Sequence, residues 1–246
     1  MSALTDYAAD LDALAGAELR EYLGAHSGLP GPRANLTLAD AFAAQASPDA
    51  IVAFSRDPDE YLAFCGTEAL GMLVLDPERR DFALGALLAA AIDPRWRIRE
   101  GVARALQIVG DADPSLLHSV IEEWLRSSDP FVLRAAISAI CEPRLLGSPE
   151  AQELAVRACA RATAWLLQSY PGTSRDGRKS LRQALGYCWS VAIAASPAQG
   201  IGPFNVIAAD GSRDAQWIVR TNLTKARMRR AIAAHDLSVA VPKADS

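Results

Sequence analysis

Five consecutive residues, Asp93-Pro94-Arg95-Trp96-Arg97, bring together a carboxylate, two guanidinium groups and an indole ring. Guanidiniums bind phosphates and carboxylates through paired N–H donors. An indole can stack a base or an apolar side chain, and a free carboxylate can move a proton. A second set of these types stands at Arg213, Asp214, Trp217 and Arg220. More cations stand at Arg134, Arg178, Lys179 and Arg182. Arg95, Trp96, Arg97, Arg134, Arg178, Lys179, Arg182, Arg213, Trp217 and Arg220 are therefore the candidate binding residues, a basic and aromatic face for an anionic partner. The competing reading is structural. In it the arginines are solvated or paired within the fold, and the tryptophans pack each helix start against its neighbour.

Other chemistries lack their motifs. The sequence has no GxGxxG or GxxxxGK[ST] phosphate loop, no GxSxG elbow, no HExxH and no CxxC pair. Cys65, Cys141, Cys159 and Cys188 lie far apart among apolar residues, which predicts buried free thiols. His26, His118 and His235 are scattered, so no metal site and no cofactor are expected. Glu122 and Glu123 are adjacent and diverge on a helix.

Net charge is −4, unevenly placed. Residues 1–60 hold ten acids and three bases, whereas Arg213–Arg230 holds six bases and one acid. The acidic whole argues against general coating of nucleic acid and leaves room for a local basic face. The amino terminus lacks a basic segment ahead of an apolar core. The longest apolar runs, 82–92 and 184–195, fall short of the about 20 residues that span a bilayer. A soluble, cytoplasmic protein with no membrane partner is expected.

Helices must position these side chains. Long alternating Val/Ile/Thr runs are absent, and eight of the 14 prolines follow Ser or Asp, a helix-start signature. Ile98, Val102, Ala105 and Leu106 give the helix after Asp93 one apolar face. The spacing predicts helices over 3–25, 38–45, 59–75, 79–92, 94–109, 114–126, 130–141, 150–169, 176–195 and 214–234, with a short apolar segment at 204–209. Arg99 stands six residues after Asp93, and that frame recurs at Asp176/Arg182 and Asp214/Arg220. It recurs at a spacing of five at Asp129/Arg134, and with Cys65 in the arginine position after Asp59. The frame positions Cys65, Arg99, Arg134, Arg182 and Arg220 are 34, 35, 48 and 38 residues apart, a period that predicts stacked helix pairs.

An Asp in the turn and a hydrophobic-Arg pair on the second helix resemble the HEAT repeat over roughly 47–234. The resemblance implies an all-α superhelix with second helices lining a concave side. It also implies a structural ladder of Asp93, Arg99, Asp129, Asp176 and Asp214 between neighbouring repeats. The expected organisation is an acidic helical cap at 1–46, repeats at 47–236 and a tail at 237–246. The segments LPGPRANLTLADAFA and SLRQALGYCWSVAIA are similar to parts of an uncharacterised bacterial HEAT-repeat family. A more distant resemblance is to the HEAT-like alkylpurine DNA glycosylases, which use a catalytic Asp in an aromatic cleft. Asp93 beside Trp96 and Asp214 beside Trp217 are the nearest combinations, and no catalytic residue is carried over. The expected function is a non-catalytic scaffold holding a protein partner, the alternative being a DNA-binding protein.

Overall fold

The computed structural model describes residues 3–31, 33–168, 172 and 174–239. Of the expected tail, residues 240–246 lie outside the described residues; so do 169–171 and 173, at and beside the expected loop 170–176. Among the described residues there are fourteen α-helices, one 3-10 turn and no strand. The fold is all-α and helical-repeat-like. The chain divides into two compact units, Met1–Asp113 and Pro114–Ser246.

The first unit holds α1 (Ala3–Asp12), α2 (Gly16–Ala25), α3 (Leu36–Gln45), α4 (Pro48–Ser55), α5 (Glu60–Leu75), α6 (Arg80–Ala91) and α7 (Trp96–Ala112). It is built around α5, of which thirteen of sixteen residues are buried. That helix packs against α2, α3, α4, α6 and α7. Two glycines permit the close approach. A Cβ on Gly71 would stand 2.3 Å from the Ala105 carbonyl oxygen of α7, and one on Gly66 would stand 2.1 Å from the Ser55 nitrogen of α4. Glu68 is also buried here, and both its oxygens accept from Arg104 of α7, at 2.8 and 3.0 Å. Asp40 of α3 pairs with the same guanidinium. Burial pushes the Glu68 carboxyl up to about 7; Arg104 offsets part of that cost and Asp40 adds to it.

The second unit holds α8 (Pro114–Trp124), α9 (Pro130–Ile140), a 3-10 turn (Pro143–Leu145), α10 (Pro149–Leu167), α11 (Arg175–Ala195), α12 (Pro197–Ala209), α13 (Arg213–Leu223) and α14 (Ala226–Ala234). Its centre is α11, packed against α9, α10, α12, α13 and α14. Three thiols that are distant in sequence meet there. Cys141, Cys159 and Cys188 are all buried, with 3.6 Å between the sulfurs of Cys141 and Cys159. Cys65 is the buried thiol of the first unit. Among the described residues no helix is long and apolar enough to cross a membrane.

The Ser-Pro and Asp-Pro steps do two different jobs. Five of them open helices, at Pro48, Pro114, Pro130, Pro149 and Pro197. The other three, at Asp57, Asp76 and Asp93, form a turn ahead of the helix. In each the carboxylate accepts the N–H two residues on, at 2.8, 2.9 and 2.8 Å. These Asx turns compete with helix start and delay it.

Three segments depart from the sequence pattern by more than a few residues at a helix end. The expected helix 3–25 breaks at Gly16, which adopts a left-handed φ of +55°. The expected helix 214–234 breaks into α13 and α14, where the buried Asn222 side chain takes the Ile218 carbonyl at 2.8 Å. The segment 204–209 is the end of a complete helix, α12, whose pattern Gly200, Gly202 and Pro203 obscure.

Candidate functional site

Charge separates the units. Residues 1–113 carry 18 acids and 9 bases, and residues 114–246 carry 11 acids and 16 bases, giving −9 and +5. Within the second unit the excess lies on α13 and α14. Ser212 caps α13 by accepting the Ala215 N–H at 3.3 Å. Ala215, Ile218, Val219 and Asn222 then form its buried stripe, and Met228 and Ala231 form that of α14. Those stripes leave Arg213, Arg220, Arg229 and Arg230 exposed, with Lys225 and Arg227 half-buried. The one acid in this run is Asp214, which is taken by Arg182 of α11 at 2.8 Å.

Arg227 shapes the edge of this surface. Its guanidinium lies 4.7 Å from the centroid of the Tyr187 ring on α11 and donates to the Tyr187 hydroxyl at 2.9 Å. Beside it lies a groove of about 510 Å³. It is lined by Pro143 and Leu146, by Val191, Ala194 and Ala195 of α11, and by Arg227 and Arg230 of α14. A groove lined by apolar side chains and two arginines suits a chain segment that is acidic and apolar together.

The first-unit candidates are engaged within the fold. Both Asp93 oxygens accept from Arg95, at 3.0 and 2.9 Å, and this pairing holds the Asp93 carboxyl below the usual carboxylate range. Arg95 also donates to the Asp57 and Pro58 carbonyls at 3.1 and 3.3 Å, tying the turn of one hairpin to that of the preceding one. Arg97 pairs with Glu60 at 2.8 Å and lies 4.5 Å from the centroid of the Trp96 ring. Trp96 is 51% exposed. Arg99 donates to the Asp93 and Pro94 carbonyls.

In the second unit, Arg178, Arg182, Asp214 and Trp217 come together. Arg182 lies 4.9 Å from the Trp217 centroid, and Arg178 stands 3.7 Å from Asp214 while donating to the Leu166 and Gln168 carbonyls. Trp217 covers Gly186 of α11 so closely that a Cβ there would stand 2.7 Å from the ring. The Arg182–Asp214 pair, 32 residues apart, joins one hairpin to the next. Asp129 caps α9 at the Phe131 N–H, 2.7 Å away. Asp176 is exposed, and the cap of α11 is Ser174 instead. Arg134 is half-buried on α9 and Lys179 is exposed on α11. Tyr187 had no signal in the sequence, since its partner Arg227 lies 40 residues away. The basic run 225–230 was visible, but not the groove beside it.

No family model matches the chain, and no curated protein matches it. One solved structure to which it is similar is an engineered protein from a structural genomics consortium, at 14% identity and a TM-score of 0.39. The match covers 92% of this chain and 100% of that one. Likeness at this level identifies neither fold family nor function.

Proposed function

We propose that the protein is a non-catalytic, HEAT-like helical-repeat binding protein whose second unit holds an anionic protein segment at the α13–α14 edge. One observation carries this reading. Arg213 and Arg220 stand on α13, Arg229 and Arg230 on α14, and Lys225 in the turn between them, and the one acid of this run is already engaged. Uncompensated cations beside an apolar groove favour a partner that supplies carboxylates and apolar side chains. The Asp–Trp combinations support a binding role over catalysis. Asp93 is held by Arg95, and Asp214 by Arg182 and Arg178, so neither carboxylate is free to act as a base.

The alternative reading, duplex DNA, draws on the same cations. Fluorescence anisotropy separates the two, using a labelled peptide of glutamates interspersed with leucines and a short labelled duplex, each over a salt series. The peptide should bind at low salt and weaken as salt rises, more tightly than the duplex. Duplex binding without peptide binding would replace this reading with the DNA one.

A further inference from the structure

Thr67 of α5 is fully buried, and its hydroxyl has no hydrogen-bond partner among the described residues. A buried polar group left unpaired is costly, and such a group marks a place where a partner is missing. Thr67 lines a groove of about 590 Å³ in the first unit, together with the buried Leu70 of α5 and Ile98 of α7. One face of α6 contributes Phe82, Gly85, Ala86, Ala89 and Ala90. A Cβ on Gly85 would meet nothing within 4 Å. Of the other polar residues lining the groove, Asp93 and Arg95 satisfy each other, and Ser55 donates to the Val52 carbonyl at 2.9 Å. Arg56 and Asp81 remain. Neither has an ion pair or a side-chain hydrogen bond among the described residues, with each other or with any neighbour. These groups are spread along the groove. Arg80 donates to the Val74 carbonyl at 3.0 Å, which sets the amino end of α6, with Asp81 and Phe82, beside the end of α5. The Arg56 guanidinium lies 5.8 Å from the Phe82 ring centroid and belongs to the same end. Thr67 stands seven residues before Val74, about 10 Å back along α5. There it lies against α7, where a Cβ on Gly101 would stand 3.3 Å from its own Cβ.

We propose that this groove binds a free amino acid, a zwitterion whose aromatic side chain ends in a hydroxyl group. The ligand's carboxylate pairs with Arg56 and its ammonium group with Asp81. Opposite charges that stand at one end of a groove without pairing suit a zwitterion better than a simple acid, which Asp81 would repel. The ring lies along Gly85, Ala86, Ala89 and Ala90, where small residues leave room for a flat body. Its hydroxyl reaches Thr67 Oγ1 and supplies the partner that the fold does not. A mostly apolar lining with a few polar groups that fix orientation is the usual composition of a small-molecule site, and the volume falls within the usual range of about 300–1,000 Å³. A ligand without the hydroxyl leaves Thr67 unpaired and binds more weakly. This site lies in the first unit and does not rest on the anionic-partner reading.

Titration of the isotopically labelled full chain with L-tyrosine, L-phenylalanine and tyramine, read by backbone amide shifts in NMR, tests it. L-Tyrosine should shift the Thr67, Gly85 and Ala89 amides saturably. L-Phenylalanine, which lacks the hydroxyl, and tyramine, which lacks the carboxylate, should each bind about threefold or more weakly. Thr67→Val keeps the shape of the side chain and removes its hydroxyl. It should lower the affinity for L-tyrosine to that for L-phenylalanine and leave the latter unchanged. Gly85→Leu places a side chain in the groove and should abolish binding. Its helical circular dichroism spectrum should be unchanged, because a Cβ at this position is unopposed and leucine favours helix. An absence of saturable shifts with L-tyrosine in wild type overturns the assignment. So does wild-type affinity for L-tyrosine in either Thr67→Val or Gly85→Leu.

Discussion

The Arg182 guanidinium lies over the Trp217 indole, 4.9 Å from its centroid, while it donates to Asp214 at 2.8 Å. One arginine thus joins α11 to α13 by a cation–π contact and an ion pair together. The indole in turn lies against Gly186, where a Cβ would come within 2.7 Å. Gly186→Ala should therefore push the ring off α11 and destabilise the second unit by about 1–3 kcal/mol. Urea unfolding monitored by tryptophan fluorescence measures this. No change in midpoint would mean that the indole moves aside freely.

Asn222 is fully buried and bonded on both sides of its amide. Its oxygen accepts the Ser190 N–H at 2.8 Å, and its nitrogen donates to the Leu185 and Ile218 carbonyls at 2.9 and 2.8 Å. Asn222→Leu leaves buried backbone groups without partners. It should cost about 3 kcal/mol, measured by chemical denaturation. A loss below about 1 kcal/mol would show that the helices re-pair those groups themselves.

The fold class was legible in the sequence, because Ser-Pro and Asp-Pro steps and apolar periodicity are local signals. The residues at the Asp–Arg spacing find different partners, which depend on packing. Arg182 reaches the Asp of the following hairpin, whereas Arg99 turns back to carbonyls of its own turn. Sequence spacing cannot distinguish these, since each depends on which neighbour stands within reach. Glu68, Asn222 and the three meeting thiols were hidden for the same reason. A buried polar residue is identified by partners that are distant in sequence and close in the fold.

Glu68 makes a pH prediction. The folded-state carboxyl keeps its proton up to about 7, against about 4.5 for an ordinary glutamate. Folding therefore takes up a proton between those values, and this group's contribution to stability is lost as pH rises through that window. Glu68→Gln should flatten the fall in melting temperature between about pH 5 and 7. An identical slope in the variant would place the titration elsewhere.

Arg95 and Arg97 test whether the most conspicuous motif in the sequence is architectural. Arg95→Ala removes the bonds to the Asp57 and Pro58 carbonyls and should cost about 1–2 kcal/mol of stability. Neither Arg95→Ala nor Arg97→Gln should weaken anionic-partner binding, read by titration of folded protein at a temperature well below the transition. A clear loss of binding with an unchanged melting temperature would return the motif to the binding surface.

The claim that the α13–α14 edge holds an anionic partner is tested most directly by charge reversal at the two groove arginines. Anisotropy of the labelled glutamate–leucine peptide is titrated with wild type, with Arg227→Glu/Arg230→Glu and with Arg97→Gln. The double reversal should weaken binding by about tenfold or more, roughly 1.4 kcal/mol per decade, while Arg97→Gln binds like wild type. Equal binding by the reversed variant would contradict the account.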